Sequence, residues 1–175
     1  MARLPLVIAP DPILKKVSTP VDSVTEELRT LMDDMFETMI ASEGIGLAAI
    51  QVGVPRRIIV ANVFESEDEE PIPLRMVNPE IIWHSDDEAV TEEGCLSLPD
   101  QLADVARPDR VRVRYVDENG EPRELDAERM TATCVQHEMD HLEGILFVDH
   151  LSRVKREIII RKLIKQKKAR AAARV

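Results

Sequence analysis

Apolar positions recur along the chain in a few distinct patterns, and each predicts an element. Leu28, Leu31, Met32, Met35, Phe36, Met39 and Ile40 follow at three- and four-residue steps, which is the period of an amphipathic helix of about five turns. Ser23-Val24-Thr25-Glu26 precedes this stripe as a capping box, and Gly44 stands where the helix would end. At such regular spacing the Met-rich stripe is core scaffold. Arg57 to Val63 has the β-branched content of a buried strand, and Leu74 to Trp83 adds strand-like sequence interrupted by Asn78-Pro79. Arg110 to Val116 alternates strictly, before an Asn119-Gly120 hairpin turn and a returning Arg123 to Leu125. Antiparallel strands therefore dominate the middle of the chain. Between them, Glu65-Ser66-Glu67-Asp68-Glu69-Glu70-Pro71 reads as a solvated acidic loop.

Past the strands, Val154, Ile158, Ile159, Leu163 and Ile164 give a second apolar helical stripe, with Ser152 placed to cap it. Its other faces are basic, and this changes the charge picture. Residues 151–175 hold 10 Lys and Arg against the single Glu157, whereas residues 1–150 hold 13 against 32 Asp and Glu. An acidic body with a basic tail suggests a tail that meets an anionic surface. The length of 175 residues suits one domain, 1–175, with 151–175 as its basic C-terminal helix. No apolar run approaches the roughly 20 residues of a membrane span, and the first residues have neither a secretory nor a transit pattern. Two cysteines, Cys95 and Cys134, are too few for a disulfide framework, so a reducing cytoplasm is expected.

The chemistry is concentrated in Thr133-Cys134-Val135-Gln136-His137-Glu138-Met139-Asp140-His141-Leu142-Glu143-Gly144. On a helix, His137 and His141 stand one turn apart on one face, so both can reach one metal ion, with Glu138 beside them as a base. A third ligand must come from elsewhere. Cys134 to His141 spans seven residues, roughly 10 Å of helix, which one short thiol cannot easily bridge. Cys95 is the leading candidate, in Glu92-Glu93-Gly94-Cys95-Leu96-Ser97-Leu98-Pro99, where Gly94 suits a sharp turn and Pro99 closes the segment. Cys134 then lines the wall below the metal. His84 and His150 read as surface or core histidines. Upstream, Gly44-Ile45-Gly46-Leu47-Ala48-Ala49-Ile50-Gln51 presents backbone closely to a ligand, with Gln51 able to donate and accept. It lacks the spacing of a phosphate loop. The position where a metzincin has its third histidine holds Phe147, and Glu157 is the only acid left for a thermolysin-like site. A small metalloprotease and a non-catalytic module with a structural metal remain as alternatives.

These three stretches, in this order and separation, resemble the peptide deformylase family over nearly the whole chain. The resemblance implies an α+β fold, with antiparallel or mixed sheets around a central metal-binding helix, flanked by an N-terminal and a C-terminal helix. It implies removal of the N-formyl group from the N-terminal methionine of newly made polypeptides. Cys95, His137 and His141 would bind the metal, usually Fe(II) and replaceable by Ni, Co or Zn. A metal-activated water would attack the formyl carbon, with Glu138 as acid/base and Gln51 and the Leu96 backbone N–H stabilising the oxyanion. Gly44, Ile45 and Gly46 would pair with the substrate backbone, while Met130, Thr133 and Cys134 could line a methionine pocket. Thr133 is more polar than the aliphatic residue expected there, and no substrate contact is assigned to Leu102 or Arg107. Bacterial relatives with such a tail associate with the ribosome, so the basic helix is expected to meet rRNA or proteins near the exit tunnel, in a bacterial cytoplasm.

Overall fold

The burial pattern of one strand explains the architecture of the computed structural model, which describes residues 2–64 and 68–173. Successive side chains of a strand face opposite sides, and β2 (Ile58–Val63) is covered on both. Ile58 and Val60 pack with Leu28, Met32, Met35 and Met39 of helix α1 (Glu26–Ala41). Ile59, Ala61 and Val63 pack with Ala132, Val135 and Leu142 of helix α2 (Arg129–Leu142). Two buried faces need a continuous apolar run rather than an alternating one, and Ile-Ile-Val-Ala supplies it.

The sheet that carries β2 has five strands, in the order β1 (Gly46–Ala48), β2, β3 (Ile72–His84), β6 (Arg110–Val116) and β7 (Pro122–Glu128). Every named pairing is antiparallel, so the expected α+β architecture is present and its sheets are antiparallel rather than mixed. The register between β3 and β6 shifts after Val77. Asn78 sits there with φ 51°, its side chain donating to Val21 O and accepting from Val21 N, each at 2.8 Å.

β4 (Glu88–Cys95) and β5 (Leu98–Pro108) form a separate two-stranded hairpin. Gly94 and Pro99, expected to turn and to close this segment, both lie within its strands; the tight connection is Leu96-Ser97. Leu98 and Val105 of the hairpin pack with Leu14, Phe147 and Val148, while Glu93 and Arg107 of the hairpin bond to His137 and Asp140 of α2, so α2 is enclosed between sheet and hairpin. Ten of its residues are buried, His137, Glu138 and His141 among them.

Two local expectations are corrected. The cap of α1 is Thr25, whose Oγ1 accepts from Leu28 N at 3.3 Å, and not Ser23. Glu43, with φ 59°, is the left-handed residue after α1, and Gly44 is required for a different reason: a Cβ there would lie 2.7 Å from Leu96 Cδ1. Helix α3 (Arg153–Ala172) is capped as expected, by Ser152 Oγ accepting from Lys155 N at 3.4 Å. Only Ile159 and Leu163 of its apolar stripe are buried, while Val154, Ile158 and Ile164 are exposed. Residues four apart share a line on a helix, and α3 buries the 159–163 line, with Ile160 packed beside it and Arg156 bonded to Asp149. Among the described residues no helix is long and apolar enough to cross a membrane. Of the expected acidic loop, Glu65, Ser66 and Glu67 lie outside the described residues; Asp68, Glu69 and Glu70 are exposed.

Candidate metal centre and cleft

Helical phase and a hairpin turn bring three donor groups together. His137 and His141 project from successive turns of α2, with ring centroids 5.1 Å apart. Cys95 ends β4, immediately before the turn that folds the hairpin over the helix. The ligand atoms of Cys95, His137 and His141 all lie within 4.8 Å of one another, and Cys95 Sγ is 3.3 Å from His141 Nε2. One thiolate and two imidazoles form a donor set suited to Fe, Zn, Ni or Co rather than to Ca or Mg. Two of the five buried side-chain atoms without a hydrogen-bond partner among the described residues, His141 Nδ1 and Glu138 Oε2, lie at this site. Unpaired buried polar atoms are costly in a filled core. The fit to a bound divalent ion rests on the donor set of Cys95, His137 and His141, with His141 Nε2 as the ring nitrogen turned to Cys95 Sγ.

Around the three donors lies an ionic network that the sequence did not announce. His137 Nδ1 lies 2.9 Å from Glu93 Oε2. Arg107 donates to both Glu93 oxygens, through Nε at 2.6 Å and a terminal nitrogen at 3.0 Å, and its other terminal nitrogen donates to Asp140 Oδ2 at 2.8 Å. Asp140 is 2.7 Å from His150 Nε2. Burial alone would raise the Glu93 carboxyl, but its bonds to His137 and Arg107 hold it down at about 2. An ionised Glu93 keeps the proton of His137 on Nδ1 and leaves Nε2 for a metal. For His137 itself burial disfavours the charge, yet bonds to Cys95 and Glu93 push it well above the usual histidine value; burial pushes His141 well below. Glu93 adjoins the Gly94-Cys95 stretch that drew attention in the sequence, whereas nothing local marks Arg107, 14 residues away, as its partner.

Gln51 is held in one orientation. Its Oε1 accepts from Ala48 N at 2.8 Å, so its Nε2 faces the hairpin, donating to Ser97 Oγ at 3.2 Å and toward Cys95 Sγ at 3.4 Å. Glu138 is buried beside His137, and burial pushes its carboxyl up to about 7, with the charge of Glu93 adding to the rise and that of His137 opposing it. Cys134 lies apart from the three donors. Its Sγ is 3.5 Å from Ile45 O, and burial, reinforced by Glu138, raises its thiol well above the usual value, so it stays neutral.

Gln51, Glu93, Cys95, Cys134, His137 and Glu138 line one cavity of about 530 Å³, together with Gly44, Ile45, Gly46, Leu96, Met130 and Thr133. Eight of the nine residues expected at the site line this cavity, and the ninth, His141, is fully buried against Cys95 and His137. β1 is the outer strand of the sheet and is paired only with β2. A Cβ on Gly46 would stand 2.5 Å from Glu138 Oε1 and 2.8 Å from Cys134 Sγ, so the glycine permits this close approach.

Comparison with known proteins agrees with this geometry. The family model described as polypeptide deformylase matches residues 3–157. A peptide deformylase of Phenylobacterium zucineum is 57% identical over 169 residues, 97% of this chain and 99% of the relative. The crystal structure of peptide deformylase from Ehrlichia chaffeensis superposes with a TM-score of 0.93 at 40% identity, covering 97% of this chain and 99% of that one. Its complex with actinonin gives 0.91 at 42% identity, covering 95% and 98%. By sequence and by fold over nearly its whole length, the chain belongs to the peptide deformylase family of metal-dependent hydrolases.

Proposed function

We propose that Cys95, His137 and His141 hold one divalent ion, Fe(II) in the native enzyme with Ni, Co or Zn able to replace it, and that the cavity beside them removes the formyl group from the N-terminal methionine of nascent polypeptides. Membership of the family supports deformylation of nascent peptides as the overall reaction. The observation that carries the assignment of roles is the convergence of three donors with a buried carboxyl and an amide donor on one cavity.

A divalent ion bound there supplies a Lewis acid that makes water a stronger acid near neutral pH. Glu138, beside His137 and facing the cavity, takes the proton of the attacking water and returns it to the departing amine. A carboxyl with a pKa of about 7 is matched to both transfers. The formyl oxygen gains negative charge as the carbon becomes tetrahedral. Gln51 Nε2, fixed by its bond from Ala48, and the Leu96 N–H in the turn after Cys95 stabilise that charge. The extended peptide adds as a strand to the free edge of β1 along Gly44, Ile45 and Gly46, and backbone pairing of this kind tolerates many sequences. Its first side chain enters the cavity beside Met130, Thr133 and Cys134. The complex of the Ehrlichia relative with actinonin supports a ligand site in this fold.

The decisive experiment is release of formate from a formyl-Met-Ala-Ser peptide by anaerobically purified protein of known metal content. Formate release with no internal cleavage supports the reading; cleavage of internal peptide bonds favours a protease. The exposed Lys162, Lys165 and Lys168 of α3, together with Val154 and Ile158, support docking of the helix on the ribosome in a bacterial cytoplasm. Deleting 161–175 would also remove the buried Leu163. Substitution of the three lysines by Glu is therefore the cleaner test, and ribosome co-sedimentation unaffected by it would overturn the docking.

A further inference from the structure

The wall of the cavity along α2 is not uniformly apolar. Thr133 precedes His137 by one helical turn and lines the cavity on the same face, between Met130 at the exposed end and the metal ligands at the other. It is 9% exposed, and its Oγ1 lies 3.4 Å from Oγ1 of Thr91 on β4. The hydroxyl pair thus spans from the helix to the hairpin. Such a bond uses one of the two O–H donors and leaves the other to be directed elsewhere. A buried hydroxyl donor favours a ligand atom that can accept from it.

We propose that the Thr91–Thr133 hydroxyl pair is a specificity-determining element for the first side chain of the substrate, favouring one that carries an acceptor atom over a hydrocarbon of equal length. This rests on the deformylase reading of the cavity. Norleucine has the length of methionine and no acceptor. Methionine has a weak acceptor in its thioether, and methionine sulfoxide has a strong one in its S–O group. The wild-type cavity therefore ranks sulfoxide over norleucine more favourably than a cavity with valine at the same place. A site built to hydrogen-bond a ligand group discriminates by more than one that merely accommodates it.

The test compares kcat/KM on formyl-Met, formyl-norleucine and formyl-methionine-sulfoxide peptides of otherwise identical sequence, for the metal-loaded wild type and the Thr133→Val and Thr133→Ser variants. Valine matches the shape of threonine without its hydroxyl. The sulfoxide-to-norleucine ratio should fall about tenfold in Thr133→Val, the value of one hydrogen bond, and be regained in Thr133→Ser. An equal ratio in wild type and Thr133→Val overturns the proposal. Wild-type protein that deformylates none of the three peptides overturns the deformylase reading and this proposal with it, whereas turnover with an unchanged ratio overturns this proposal alone.

Discussion

Arg107 grips the Glu93 carboxylate with two nitrogens, and Glu93 in turn meets His137 Nδ1, so a residue on β5 orients a candidate ligand on α2 through one on β4. Both members of the ion pair are at most 5% exposed. Removing one partner of a buried pair leaves an unpaired charge, which costs about 3–5 kcal/mol. Arg107→Met should therefore lower the denaturant midpoint strongly and weaken metal retention during dialysis. Arg107→Lys should rescue little, since an ammonium cannot reproduce the forked grip on Glu93 together with the bond to Asp140.

Glu138→Gln separates chemistry from metal binding. The side chain keeps its shape beside His137, while the group that moves protons is lost. Activity should fall by about 100- to 10,000-fold with metal stoichiometry unchanged, as read by elemental analysis. Loss of the ion along with the activity would instead make Glu138 a ligand.

The two cysteines should behave oppositely. Cys95 Sγ lies among the imidazoles, and Cys134 is a neutral thiol directed at Ile45 O. Cys95→Ala should purify without stoichiometric metal, and Cys134→Ala should retain it. The reverse result would overturn the choice of ligand.

Gly46→Ala tests the close approach of β1 to the helix. The added Cβ would meet Glu138 Oε1 and Cys134 Sγ, so the Glu138 carboxyl must move. We expect a loss of kcat larger than any change in metal content, because the atoms nearest the added Cβ belong to Glu138 and Cys134 rather than to a metal donor.

What was legible in the sequence was local. His137 and His141 are one turn apart whatever the rest of the chain does, and the continuous apolar run of β2 follows from two covered faces. The hairpin β4–β5 was missed because Gly94 and Pro99 carry turn signals, yet both sit inside strands, where Gly94 accommodates Leu102 and Pro99 follows the Leu96-Ser97 turn. The roles of Glu93 and Arg107 were invisible because their pairing depends on that hairpin. For α3, periodicity identifies an apolar line without saying how much of it the body covers; Ile159 and Leu163 are covered, and Val154 and Ile158 are not.

Acid sensitivity should be traceable to Asp149, which ties the start of α3 to the N-terminal segment. Its carboxylate accepts from Lys15 Nζ, from Leu146 N at 2.9 Å and from Arg156 Nε at 2.8 Å. Burial acts to raise its pKa, but these bonds outweigh it and hold the group below the usual carboxylate value. With the folded pKa below the unfolded one, the stabilisation is complete above about pH 4, the unfolded value, and is lost as pH falls through the folded value. Asp149→Asn should therefore be less stable than wild type at pH 7, by about 1–3 kcal/mol for a charged hydrogen-bonded group. The two denaturation curves should converge as the pH drops below 4. A stability difference that persists undiminished at pH 2 would assign the effect to lost packing rather than to the charge of Asp149.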